Sequence, residues 1–376
     1  MAGRLVRGEK LFLSFIATQL LRVIILLMSI FKRFFDFFPT PRFLKFSYVG
    51  LDIGSHAFYY AELLSDGTHL RLGRYGKDHY QKSDNLLINE SLKEALKKLR
   101  KERRVHFVKA ALPEEESYLY TTEVSGDTDT EIKNDIEFHL EENVPISGGD
   151  ALFHYYLIAN SSAGKKRAVV SVVPREVINR YTSLLKDCGI NVTSFMVESS
   201  ALSRIVIKKG DFENSLIVSL RLSKTMLAVV SEGFVEFSST VNFGASFFTS
   251  AIQKRFSVNE DEAKVMKYSK GLLKSNQKEQ FSDSLAGSIS VLRDEIQRVM
   301  SYWQKREPGR AISKIVLCGK DATIPGFADY LALTLKSPVE VANVWVNIPY
   351  YSDVVAPIPF EESLSYGTAL GLVLFN

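Results

Sequence analysis

The sequence predicts an α/β protein made of two similar halves that follow an apolar amino-terminal segment. After Phe46 the chain alternates between predicted strands and helices. The order strand, turn, strand, Ser-acid-Gly turn and strand begins at Gly50 and is repeated in Leu216–Gly244. Such a repeat is typical of a duplicated fold with one ligand cleft between its halves, and 376 residues can bury a core in each half.

The amino-terminal segment is predicted to associate with a membrane. Leu11–Phe31 is almost continuously apolar and long enough to span a bilayer as a helix. Arg22 at its centre opposes insertion by about 2.5–3.5 kcal/mol. The basic stretch Lys32–Lys45 equally suits a helix that lies in the interface against anionic headgroups. Both arrangements stay open, as does translation from Met28, and we assign residues 1–46 to this segment.

Composition excludes several function classes. The net charge of +4 is small for this length and predicts no nucleic-acid partner. Cys188 and Cys318 lie far apart and lack a paired spacing, which indicates reduced thiols in a cytoplasmic protein. The six histidines show no metal-ligand spacing, so no structural metal is predicted.

The first half is predicted to span residues 47–210, with an inserted α+β subdomain at about 88–165. It opens with GLDIGS at Gly50–Ser55. A glycine at position 54 lets backbone N–H groups approach a phosphate, and Asp52 beside it can hold a hydrated divalent metal. An ordinary hairpin is the alternative. Within the insertion, Thr128 and Glu131 predict a capping box at the start of a helix.

The second half is predicted to span residues 211–376, with a helical subdomain at about 259–310. Its turn Ser231-Glu232-Gly233 matches Ser65-Asp66-Gly67 of the first half. Asn259 and Glu262 predict a second capping box. A strand, a tight turn and a closing helix complete this half.

Several segments, in this order along the chain, resemble the PilM family of type IV pilus assembly proteins over roughly residues 48–375. They are GLDIGS (50–55), LPEEESYLYTTEV (112–124), EIKNDIEFHLEENVPI (131–146), VVPREVINRYTSLLKDCGINVTSFMVESSALSR (172–204), DEAKVMK (261–267) and KIVLCGKDATIPGF (314–327). This family is related to the cell-division protein FtsA. The resemblance implies a bilobed actin-like ATPase fold of the duplicated ribonuclease H-like type, with ATP and magnesium between the lobes.

The resemblance also implies a nucleotide site, but the sequence departs from the family pattern there. The positions that match nucleotide-contacting residues are Asp52, Gly54, Ser55, Gly244, Lys267 and Gly319, with Asp52 also as the metal ligand. In the second loop, Ser219 and Arg221 replace an acid and a glycine, and Lys320 replaces the second glycine of the adenosine loop. We therefore predict a degenerate ATP site with no catalytic residue and little or no hydrolysis. Gly244 and Gly319 serve equally well as plain turn glycines.

The resemblance further implies a place and a partner. The place is the cytoplasmic face of the inner membrane, in the assembly platform of the type IV pilus or the related type II secretion machine. The partner is the amino-terminal tail of a PilN-like bitopic membrane protein, beside other platform proteins and the membrane surface. Self-association stays an alternative. Candidate walls of the partner groove are Tyr118, Tyr120, Phe138, Tyr155 and Tyr156, which could equally be core residues.

Two other functions stay open on sequence alone. An active ATPase or small-molecule kinase of the same superfamily needs a catalytic acid near the phosphate loops, where position 219 is serine. An FtsA-like role in cell division calls for an amphipathic membrane helix at the carboxyl end, and none is seen after Leu374.

Overall fold

The computed structural model describes residues 48–65, 69–81, 89–160, 166–272 and 279–374. The predicted apolar segment at 11–31 and positions 66 and 67 of the repeated turn lie outside these ranges. Among the described helices, none combines the length and the hydropathy needed to cross a membrane.

The strands and helices of the described residues are numbered in chain order. The strands are β1 Val49–Ile53, β2 Ala57–Ser65, β3 Leu70–His79, β4 Phe107–Leu112, β5 Tyr118–Val124, β6 Ala151–Asn160, β7 Lys166–Pro174, β8 Asn191–Val197, β9 Ser215–Leu220, β10 Thr225–Ser231, β11 Phe234–Val241, β12 Lys314–Cys318 and β13 Val339–Val341. The helices are α1 Glu90–Arg103, α2 Asp129–Phe138, α3 Leu140–Asn143, α4 Arg175–Asp187, α5 Glu198–Val206, α6 Ala245–Phe256, α7 Glu260–Lys270, α8 Glu279–Arg306, α9 Phe327–Leu335, α10 Tyr350–Asp353, α11 Phe360–Ser363 and α12 Gly367–Val373.

Two five-stranded sheets share one topology. The first has the order β3-β2-β1-β4-β8 and the second the order β11-β10-β9-β12-β13. In each sheet the first three strands are antiparallel neighbours, and the last two run parallel to the opening strand. The predicted duplicated α/β fold is therefore confirmed. We call the first sheet with its packed helices the first lobe, and the second sheet with its helices the second lobe.

One apolar core lies within the first lobe, and a second fills the second lobe and extends to Ala61 of β2. In the first lobe, Leu92, Leu96 and Leu99 form one stripe of α1 and pack under the sheet together with Tyr181 of α4. Burial of each such aliphatic side chain stabilises the folded protein by about 1.5–3 kcal/mol. In the second lobe, Trp303 of α8 is fully buried.

A third, three-stranded antiparallel sheet is inserted in the first lobe. Its order is β5-β7-β6, and α2 covers one face. The predicted capping box at Thr128 and Glu131 begins α2, with the Glu131 N–H donating to Thr128 Oγ1 at 3.3 Å. The predicted insertion at about 88–165 also takes in α1 and β4, which pack within the first sheet rather than the third. The remaining predicted domain boundaries stay predictions.

Candidate nucleotide cleft

A cavity of about 740 Å³ lies where the two lobes meet. Its lining includes the predicted site residues Asp52, Gly54, Ser55 and Gly319. The other two predicted residues, Gly244 and Lys267, do not line the cavity themselves. The residues that directly follow them, Ala245 and Tyr268, do line it. The structure therefore brings four of the six predicted nucleotide residues to one cleft.

The first lobe supplies buried acids to this cleft. β1, β4 and β8 are parallel, so their carboxyl ends meet at one edge of the sheet. Asp52 lies in β1, Glu114 follows β4, and Glu198 follows β8, and each is 4–5% exposed. Burial raises the pKa of Glu198 to about 8. Burial also raises the pKa of Glu114, although this carboxylate accepts the Ser199 N–H at 3.0 Å.

The second lobe supplies one cation, Arg221, that meets two of these acids. Its Nη2 forms an ion pair with Asp52, and its Nε lies 2.8 Å from Glu198 Oε1. The contact to Glu198 lacks hydrogen-bond geometry and is a charge contact. Burial opposes the charged guanidinium, but the nearby carboxylates of Asp52 and Glu198 raise the pKa of Arg221 overall. The position beside Asp52 that would suit a metal thus faces a side chain of the protein itself.

The first turn is closed by a backbone hydrogen bond, in which the Gly54 N–H donates to the Ala57 carbonyl oxygen at 2.9 Å. An added Cβ at Gly54 would meet the Ala57 carbonyl oxygen at 3.0 Å and otherwise only Arg221 Nη1 at 3.8 Å. Ser55 Oγ lies 2.9 Å from His56 Nδ1 and 3.4 Å from Ser223 Oγ of the second lobe. The Gly54 N–H is therefore occupied and is not available to an anion.

The second turn is closed against helix α6. The N–H groups of Ala245 and Ser246 donate at 2.9 Å to the carbonyl oxygens of Arg221 and Leu222. A Cβ on Gly244 would lie 2.6 Å from each of those oxygens. Gly244 is therefore required by this close backbone contact, and the first N–H groups of α6 are occupied where a phosphate would bind.

Two further predicted nucleotide residues are held inside the second lobe. Gly319 has φ of +91°, and a Cβ there would collide with the Leu220 carbonyl oxygen. Lys267 is 3% exposed, forms an ion pair with Asp321 and donates to Thr249 Oγ1 at 3.2 Å. Lys267 thus ties helix α7 to the turn after β12.

Magnesium–ATP does not fit this arrangement as it would fit an intact site. The Asp52 carboxylate already pairs with Arg221, and the second turn offers no acid. In the described ranges, no three His, Cys, Asp or Glu side chains are grouped so that they could hold a metal ion. The cleft retains room for a ligand, but the acid of its first turn is not free to hold a metal.

Sequence reasoning missed the acids at positions 114 and 198 and a second charge pair across the cleft, Lys224 with Glu115. In the structure, Glu114 lies two residues after the end of β4 and Glu198 directly follows β8. Had the parallel pairing of β4 and β8 with β1 been assumed, their side chains would have been placed beside Asp52. The pair between Arg221 and these acids depends on the approach of the lobes, which no local pattern encodes.

The predicted partner residues lie on separate surfaces of the inserted sheet. Tyr118, Tyr120 and Tyr155 pack against the core beneath α2. Phe138 is 80% exposed, whereas the ring of Tyr156 lies 5.1 Å from that of Phe234 in the second lobe. These five side chains do not line one surface, and their role in partner binding stays a prediction.

The duplicated sheets and the cleft between them define an actin-like ATPase fold. A chain of the PilM-PilN type IV pilus biogenesis complex is similar, with a TM-score of 0.69 and 18% identity over 89% of this chain and 98% of that one. The ethanolamine utilization protein EutJ from Carboxydothermus hydrogenoformans is also similar, with a TM-score of 0.50 and 12% identity over 90% of this chain and 91% of that one.

The sequence profile described as type IV pilus assembly protein PilM matches residues 50–376. The chain belongs to this family. The predicted resemblance and fold class are thereby confirmed for the described residues.

Proposed function

We propose that this protein is a non-catalytic scaffold of the type IV pilus, or related secretion, assembly platform, and that it binds the cytoplasmic tail of a PilN-like membrane protein. Family membership supports the role in pilus assembly. The solved relative is a PilM-PilN complex, which supports the kind of partner. In this proposal, residues 1–46 keep the protein at the inner face of the membrane.

The observation that carries the non-catalytic part is the pairing of Arg221 with Asp52 and Glu198. An active ATPase or kinase needs a carboxylate free to hold a metal or activate a nucleophile. Here the acid of the first turn is neutralised by the chain, and the equivalent position of the second turn is Ser219. The cleft is therefore a degenerate nucleotide site with weak or absent ATP binding.

Calorimetry on the full chain tests both parts. A peptide from the cytoplasmic tail of the PilN-like protein should bind with micromolar Kd, equivalent to about 8 kcal/mol. Binding should not change when ATP and magnesium are added. A lack of peptide binding would remove the scaffold assignment, and ATP hydrolysis above background would favour the enzyme instead.

A further inference from the structure

We infer that Arg221 is a resident cation that holds the two lobes together, so that closure of the cleft requires neither a nucleotide nor a metal. This inference rests on the proposed function, because a cleft built to bind magnesium–ATP would leave Asp52 free. It assigns Arg221 as a positioning residue that takes the place of a bound cation in the degenerate cleft.

The geometry suits a bridging role. Asp52 lies in β1 of the first lobe, Glu198 begins α5 directly after β8, and both side chains are 6% exposed. Arg221 belongs to the second lobe and approaches both acids through different nitrogens. A guanidinium has five N–H donors in a planar fork, so one side chain can serve two carboxylates, as a divalent ion would.

Other polar contacts cross the cleft beside Arg221. Lys224 of the second lobe pairs with Glu115 of the first, and Ser223 Oγ lies 3.4 Å from Ser55 Oγ. Both Lys224 and Glu115 are about 40% exposed, so this pair contributes little. Among these cleft contacts, loss of Arg221 matters most, since it would leave the buried Asp52 carboxylate without its cation.

The matched control is Arg180, which pairs with Glu116 within the first lobe and with no other acid among the residues that the structure describes. Hydrogen exchange should be measured on wild type, Arg221→Ala and Arg180→Ala, at residues 52–56 and 219–224. Loss of Arg221 should raise exchange in both segments by about tenfold, because the lobes separate more often. Millimolar guanidinium chloride should reverse that rise, since the free ion can occupy the vacated position between the acids. Arg180→Ala should show neither the rise nor the rescue in these segments.

Unchanged exchange in Arg221→Ala, or a rise that guanidinium does not reverse, would overturn the inference. If Arg221→Ala does not fold, the same measurement on Arg221→Gln decides, since this variant keeps the bulk of the side chain without its charge. The proposed function fails separately, through ATP hydrolysis or absent peptide binding in the unmodified chain.

Discussion

The opening hairpins of the two lobes have the same topology and opposite charge. In the first lobe, β1 carries Asp52 two residues before Gly54, and in the second, β9 carries Ser219 two residues before Arg221 at the matching positions. The first lobe thus offers acids to the cleft and the second a cation. A duplicated backbone can keep its order of strands while its site changes from holding a ligand to pairing with itself.

The two turns share one backbone hydrogen bond and differ in a second contact. The Gly54 N–H donates to the Ala57 carbonyl oxygen and the Arg221 N–H to the Lys224 carbonyl oxygen, but the second turn also directs the Arg221 and Leu222 carbonyl oxygens at the first N–H groups of α6. A phosphate would have to displace those hydrogen bonds. The difference between the lobes is therefore in the main chain as well as in the side chains.

The strongest way to break this asymmetry is to disturb the turn that supports β9. Gly319→Ala forces a Cβ into the Leu220 carbonyl oxygen at a φ of +91°. We expect a loss of about 3 kcal/mol in the free energy of unfolding, measured by urea denaturation. Gly210→Ala is the control, because Gly210 also has a positive φ of +85° but an added Cβ there would meet no atom within 4 Å. The control should lose only about 1 kcal/mol, and equal losses would refute the close approach.

A second way to sharpen the comparison is to remove the titration of Glu198. Burial raises the pKa of this acid to about 8. Of its charged neighbours, Arg221 lowers the pKa, whereas Asp52, Glu114 and Glu115 raise it. The folded protein then keeps a proton that the unfolded chain releases, so the free energy of unfolding falls as pH rises from about 4.5 to about 8.

The neutral variant Glu198→Gln should lose this pH dependence. We expect the free energy of unfolding of this variant, measured by urea denaturation, to increase relative to that of wild type by on the order of 2 kcal/mol between pH 5 and pH 8. Glu137→Gln, at an exposed site, should leave the profile unchanged. A wild-type slope retained in Glu198→Gln would show that other groups cause it.

The third test makes the second turn like the first. The double variant Ser219→Asp, Arg221→Gly supplies an acid and frees Asp52 and Glu198. We expect its ATP affinity, measured by calorimetry with magnesium, to rise by about tenfold, or about 1.4 kcal/mol. The gain should vanish without magnesium, and affinity equal to that of wild type would show that α6 alone closes the site.

The sequence predicted the elements well where the signal is local. Thr128 with Glu131 and Asn259 with Glu262 both form the expected capping boxes. The duplication was visible because the strand and turn order repeats, and the matching sheet orders confirm it. The family resemblance predicted that Asp52, Gly54 and Gly319 share one site, and all three line the cleft.

What the sequence did not predict depends on contacts between distant segments. Arg221 was recognised as a departure from the family pattern, but its partners at positions 52 and 198 are set by how the lobes approach. Lys267 fits the family motif in sequence, yet it turns inward to Asp321. A motif identifies a side chain, whereas packing decides which way that side chain faces.

The smallest expected effect on stability concerns the inserted sheet, which has no counterpart in the second lobe. Phe138 at the end of α2 is 80% exposed, so Phe138→Ala should change the free energy of unfolding by less than about 0.5 kcal/mol. If this ring contacts the PilN-like peptide, the variant should weaken peptide binding by about tenfold in calorimetry. Phe212→Ala is the matched control, since Phe212 is 70% exposed outside the insertion. Equal peptide affinity in the two variants would place the partner surface away from α2, because loss of the Phe138 ring would then have no more effect than loss of an exposed ring elsewhere.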